Sequence, residues 1–313
     1  MSTAPVAVVD IGSNSIKVLV AQRDQSSRLC ALHFRTIDAR IGTGIGRDEP
    51  RLHEEGMVRA LAAIQSLLDD ASKFAVSRVV VVATSAVRDA HNGAEFRRRV
   101  RDATGHEVRV LSGEEEANLI GRGLTCDPAL RDLQDFYVFD LGGGSLECLA
   151  FRDRRIEHAV SVPLGCVRLT ETFVADSTQP LPEATARAIA RHTRKTLAAS
   201  AFRFSLPAEA PAIGTGGTVT AVRAIFGARA AQALEQTSPV VSVVQLKTLL
   251  ADLGSLTLTE RQKIPGLPPA RADIFPTALA TLIEVAAIGG FQAYRNSFHN
   301  LRYGVAAEAL ALE

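Results

Sequence analysis

Phe136-Tyr137-Val138-Phe139-Asp140-Leu141-Gly142-Gly143-Gly144-Ser145-Leu146-Glu147 is the stretch whose reading decides the fold. Four apolar residues lead into an aspartate, and a run of this kind bounded by glycine predicts a buried strand. The aspartate falls where the strand ends. The three glycines let the backbone turn with its N–H groups uncovered, which is how a chain cradles a phosphate.

A second copy lies 130 positions earlier. Val6-Ala7-Val8-Val9-Asp10-Ile11-Gly12-Ser13-Asn14-Ser15-Ile16-Lys17 aligns with it position for position. Both copies read apolar strand, Asp, aliphatic, Gly, two small or turn residues, Ser, aliphatic, charged residue. The spacing is too long for a solenoid repeat and suits two related half-molecules, each opening with a hairpin whose turn faces a shared ligand. A third glycine turn, Gly214-Thr215-Gly216-Gly217-Thr218, follows the short apolar lead Ala212-Ile213. Paired hairpins with helices behind them suggest an α/β chain of the actin-like ATPase (ASKHA) type: two ribonuclease-H-like lobes with a cleft between them. The expected division is 1–118, completed by a C-terminal helix over 303–313, and 119–302.

The 313 residues suffice for two domains, and 47% hydrophobic with 22% charged residues is a globular composition. A net charge of +1 gives no global field for nucleic acid or membrane. Lysine occurs only at 17, 73, 195, 247 and 263, against 30 arginines. That bias is compositional, or it supplies bidentate phosphate clamps. Cys30, Cys126, Cys148 and Cys166 show no metal-binding spacing and read as small buried hydrophobes. No signal-like or membrane-spanning run is present, so a cytoplasmic location is expected.

Strands are predicted over Val6–Asp10, Ile16–Gln22, Arg28–Ile37 and Arg78–Ala83, with a helix over Glu54–Phe74. Ile41-Gly42-Thr43-Gly44-Ile45-Gly46 has no strong strand before it and no helix directly after it, and reads as a flexible surface loop. Arg97-Arg98-Arg99 lies within a predicted helix and reads as a solvated face. Ser112-Gly113-Glu114-Glu115-Glu116-Ala117 opens another helix, with Ser112 as N-cap and Glu115 as its capping-box partner. The cap and the helix dipole account for two of the three glutamates and leave one to point elsewhere.

Taken together, the Asp10–Lys17 turn, Ala83–Asn92 with Arg88, Ser112–Ala117, Asp140–Glu147, Gly165–Glu171, Gly214–Thr218 and Arg271-Ala272-Asp273 resemble the Ppx/GppA family of exopolyphosphatases and guanosine pentaphosphate phosphohydrolases. Each motif alone is weak; their common order is specific. The resemblance implies hydrolysis of terminal phosphoanhydride bonds with a divalent metal, Mg2+ or Mn2+. It places the metal at Asp10, Asp140 and Glu147 and the general base at Glu116, with Glu147 and Arg88 as further catalytic residues. Phosphate contacts then fall to Ser13, Asn14, Ser15, Gly143, Gly144, Ser145, Gly216, Gly217 and Thr218, with Arg168 a weaker candidate that equally fits a surface arginine. Lys17 stands where the family often has histidine or arginine, and is expected to touch a phosphate.

Leu146, His91 and Tyr303 depart from the family pattern, which leaves the segment around Tyr303 without an assigned role. The chain stops after two lobes, whereas longer members carry a further helical region, so a short polyphosphate or a small phosphate ester is the expected substrate. Three classes stay open: an exopolyphosphatase, with guanosine pentaphosphate hydrolysis as the alternative; an actin-like kinase; and a non-catalytic sensor of polyphosphate or an alarmone. The expected partners are polyphosphate or a phosphorylated guanosine nucleotide, without nucleic acid or membrane, and the resemblance allows a homodimer.

Overall fold

The structure is a computed structural model and describes residues 4–311. It divides into two compact units: residues up to Arg131 together with those from His299 on, and Asp132–Phe298.

The first unit opens with β1 (Val6–Ile11), β2 (Ile16–Arg23) and β3 (Leu29–Ile37), then α1 (Glu54–Ser72), β4 (Arg78–Ala83), α2 (Ser85–Asp89), α3 (Gly93–Thr104), β5 (Val108–Val110) and α4 (Gly113–Thr125). Every residue of β1 is buried, as a strand covered on both faces must be. It pairs antiparallel with β2 and parallel with β4, in the sheet order β3-β2-β1-β4-β5.

The second unit contains β6 (Phe136–Leu141), β7 (Leu146–Arg152), β8 (Arg155–Val162), α5 (Cys166–Phe173), α6 (Glu183–Ala199), β9 (Ala212–Thr215), α7 (Gly217–Arg229), β10 (Val240–Ser242), α8 (Val243–Gly254), α9 (Leu258–Arg261), α10 (Phe275–Gly289) and β11 (Ala293–Asn296). Its order is β10-β11-β9-β6-β7-β8, with β6 antiparallel to β7 and parallel to β9. Along β6, period-2 alternation sends Tyr137 and Phe139 into an aromatic cluster with Phe202, Phe204 and Phe291. Asp140 therefore belongs to the opposite face.

The two sheets repeat one topology, β3-β2-β1-β4-β5 matching β8-β7-β6-β9-β11. The irregularity between the second and third strands recurs as well, at Val20/Ala21 and at Ala150/Phe151. An antiparallel meander continued by parallel strands is the ribonuclease-H-like sheet, and its duplication in one chain is the actin-like ATPase fold.

After β11 the chain returns to the first unit as α11 (Leu301–Ala309), which packs on α4, β1 and β2. The two helices approach through glycines. A Cβ on Gly304 would lie 1.8 Å from the Leu119 carbonyl oxygen, and one on Gly123 would lie 2.1 Å from that of Asn300. This packing displaces the expected boundaries. A cut at 118/119 would sever α4, and one at 302/303 would sever α11; residues 312 and 313 of the expected terminal helix lie outside the described range.

The expectation of a flexible surface loop at 41–46 is wrong. Ile41 and Ile45 are buried, and the N–H groups of Arg40 and Gly42 donate to the carbonyls of Asn14 and Ser13 at 2.8 Å each. The segment is the brace of the β1–β2 turn, and a Cβ on Gly42 would lie 2.5 Å from Ser13 Cβ. The cysteines also divide differently from expectation: Cys148 and Cys166 are buried, but Cys30 is exposed on β3 and Cys126 is half-buried. Three arginines, Arg223, Arg261 and Arg302, are buried. Arg223 and Arg261 bind backbone carbonyls, so part of the arginine excess is structural. Among the described residues no helix is long and apolar enough to cross a membrane.

Candidate active site

In the first unit the β1–β2 turn is closed by the Gly12 N–H donating to the Ser15 carbonyl at 3.2 Å. Ser13, Asn14 and Ser15 are buried within it. Ser13 Oγ shares a 3.2 Å hydrogen bond with Ser85 Oγ, and Asn14 Nδ2 donates to Asp38 Oδ1 at 3.4 Å. Asp10 and Lys17 face each other across the hairpin, with Lys17 Nζ 3.8 Å from Asp10 Oδ2.

Ser85 belongs to α2, which also carries Arg88, so this one short helix joins the turn to a second group. Arg88 Nη1 donates to the Leu111 carbonyl at 3.0 Å and to Glu116 Oε2 at 2.9 Å, and Nε lies 3.3 Å from Asp89 Oδ1. The capping box forms as expected. Ser112 Oγ accepts from the Glu115 N–H at 3.1 Å, and Glu115 Oε2 accepts from the Ser112 N–H at 2.8 Å. That backbone hydrogen bond, aided by Arg109, holds the Glu115 carboxyl below its usual range. Glu115 is thereby spent on the cap. Glu116, only 6% exposed, is turned inward onto Arg88.

The second unit repeats the turn, closed by the Gly142 N–H donating to the Ser145 carbonyl at 3.0 Å. Its brace is Gly165, whose Cβ would lie 2.3 Å from the Gly143 carbonyl oxygen. The N–H groups of Cys166 and Val167 donate to the carbonyls of Gly142 and Gly143 at 3.0 and 2.8 Å. Arg168 is tied to this turn, its Nε donating to the Gly144 carbonyl at 2.9 Å. Ser145 and Gly144 are buried beside half-buried Gly142 and Gly143.

Asp140 and Glu147 are direct cross-strand partners. Glu147 is 2% exposed and accepts from the Ser161 hydroxyl at 2.7 Å. Two carboxylates opposite each other are mutually destabilising. A hard divalent cation reverses that sign, and magnesium sites typically combine one or two carboxylates with phosphate and water oxygens. The pair therefore fits such an ion. Among the described residues, no three or more His, Cys, Asp or Glu side chains gather into an all-protein metal site.

The β9–α7 turn adjoins the same carboxylates. Gly216 has φ +85°, and a Cβ there would lie 2.3 Å from Asp140 Oδ1, so a side chain is excluded on both counts. A Cβ on Gly217 would lie 1.5 Å from Arg271 Nη1, which sets a guanidinium over the start of α7; Thr218 is buried behind it. Burial pushes the Cys166 thiol up, with Arg271 opposing that shift. Arg271 is thus beside the turn; the sequence marks it only within the Arg271-Ala272-Asp273 motif, with no role assigned to it. Ser85 and the Arg40–Gly42 brace are the members to which sequence reasoning assigned no site role.

Residues 18–313 match the model of the Ppx/GppA phosphatase family. The Aquifex aeolicus PPX-GPPA enzyme aligns over 97% of this chain and 99% of its own, at 26% identity and a TM-score of 0.77. An exopolyphosphatase from Cytophaga hutchinsonii aligns over 98% of both chains, at 25% identity and a TM-score of 0.87.

Proposed function

The chain belongs to the Ppx/GppA phosphatase family, and from that membership we propose that it is an exopolyphosphatase, releasing the terminal phosphate of short inorganic polyphosphate by in-line attack of water. The observation that carries this reading is Glu116. It is buried, excluded from the capping box beside it, and held at 2.9 Å by Arg88.

In this mechanism Glu116 orients the attacking water and accepts its proton as the new P–O bond forms and the bond to the leaving phosphate breaks. A positioned base of this kind contributes about 10²–10⁴-fold, or roughly 3–5 kcal/mol. Arg88 fixes the carboxylate and presents its remaining N–H groups to phosphate oxygens. In each unit the uncovered backbone N–H groups of its glycine turn are donors for phosphate oxygens, with the hydroxyls of Ser13 and Ser15 in the first and of Ser145 in the second, where Arg168 and Arg271 add positive charge. Asp140 and Glu147 would hold Mg2+ or Mn2+, which supplies neutralisation of phosphate charge; Asp10, the third expected ligand, faces Lys17 at 3.8 Å and is left out of the proposed set. Phosphoryl transfer asks for little beyond such positioning and charge compensation.

The test is phosphate release in magnesium by the wild type and Glu116→Gln, with tripolyphosphate, long polyphosphate, guanosine pentaphosphate and ATP in parallel. Release that is fastest from tripolyphosphate and falls at least 100-fold in the variant is the expected result. Faster release from long polymers or from guanosine pentaphosphate would overturn the substrate. Binding without release would make the protein a sensor.

A further inference from the structure

The two hairpins differ in one charge. They agree in strand pairing, in the position of the aspartate, in the glycine-to-serine hydrogen bond that closes the turn, and in the bracing glycine behind it. At the residue opposite the aspartate they part. The second hairpin pairs Asp140 with a carboxylate, Glu147, and the first pairs Asp10 with an ammonium, Lys17.

The Lys17 side chain does not extend into solvent. Its Nζ is 3.8 Å from Asp10 Oδ2 and 3.9 Å from where a Cβ on Gly12 would stand, so the ammonium is folded back over the glycine turn. Only 26% of the side chain is exposed. By register it stands where Glu147, one of the two carboxylates that would hold an ion, stands in the other half of the repeat.

We propose that Lys17 is a built-in cation: it takes at Asp10 the role that a divalent ion takes at Asp140 and Glu147, so the protein carries one metal site where its internal symmetry provides for two. This rests on the reading of Asp140 and Glu147 as the metal-holding pair. The chemistry of the donors supports it, because a hard divalent ion selects paired carboxylates, whereas an ammonium next to a single carboxylate repels such an ion and donates hydrogen bonds to phosphate by itself. Lys17 is then a positioning residue. It neutralises Asp10 at any metal concentration and holds that carboxylate in place.

The converse substitution makes the test. Lys17→Glu gives the first hairpin the Asp–Glu pair of the second. Mn2+ binding is measured by electron paramagnetic resonance and equilibrium dialysis on the full chain, without substrate, for wild type, Glu147→Gln, Lys17→Glu and Lys17→Glu/Asp10→Asn. The expected stoichiometries are one ion for wild type and two for Lys17→Glu, the second within about tenfold of the affinity of the first, and one again when Asp10→Asn is added. Circular dichroism checks folding, and Lys17→Asp replaces Lys17→Glu should the longer side chain prevent it.

A single ion in the folded Lys17 variants, with binding abolished by Glu147→Gln, would overturn the built-in cation and leave the metal-holding pair standing. Undiminished binding in Glu147→Gln would instead remove the metal reading, and the inference with it. Two ions in the wild type would overturn the inference directly.

Discussion

Replacing Arg88 by methionine tests the join between structure and chemistry at its tightest point. The Arg88–Glu116 contact is 2.9 Å, with side-chain exposures of 23% and 7%. At that distance and an effective dielectric of about 20, unit charges attract by about 6 kcal/mol before desolvation is charged against them. Exposed pairs retain about 0–1 kcal/mol of such attraction, while breaking a buried pair costs about 3–5 kcal/mol. One partner here is wet and the other dry, so a coupling energy of about 2 kcal/mol is expected. Arg88→Met alone strands a buried carboxylate and should cost about 3 kcal/mol. In a Glu116→Gln background there is no charge to strand, and the same change should cost only about 1 kcal/mol. Urea unfolding of the four proteins at pH 7 gives the cycle, and phosphate release should be depressed in all three variants. If Arg88→Met costs the same in both backgrounds, the pair does not hold Glu116, and the positioning role of Arg88 falls with it.

Gly304→Ala should destabilise the protein by about 3 kcal/mol or more, because the new methyl meets the Leu119 backbone at 1.8 Å and backbone cannot rotate away; an unchanged urea midpoint would refute the close helix crossing. Asp70 is held at about 2 by hydrogen bonds from Lys73 and then Arg35. A depressed carboxyl stabilises above its unfolded value of 3.8 and loses that contribution as pH falls through 2, so carboxyl NMR of Lys73→Ala should show Asp70 titrating closer to 3.8.

Much of this was legible because it is written twice. The Asp10 and Asp140 hairpins are each a local pattern, and repetition lifts them above chance. The Ser112–Glu115 cap was equally readable, since both partners lie within four residues, and its completion is what left Glu116 for another role. What escaped was non-local or short. Ile41 and Ile45 have no periodic neighbours, so nothing in the sequence reveals that they are buried beneath the Ser13 turn. β10 and β11 span three and four residues, too few for alternation to register. Arg271 reaches Gly217 from 54 positions away, and only the folded chain brings them together. The true unit boundaries lie beyond α4 and before α11, where packing decides and composition does not change.

The return of α11 to the first unit has a consequence for how the protein is made. The sheet of that unit and its helix α4 leave the ribosome early, yet the helix that covers them is translated only after the whole of the second unit. The usual order, with the N-terminal domain folding first, is therefore unavailable. The second unit, continuous in sequence, can finish while the first still shows the apolar surface of β1, β2 and α4 that α11 will close. In the growing chain, the part that begins first is completed last, and its open flank is where a chaperone would find its hold.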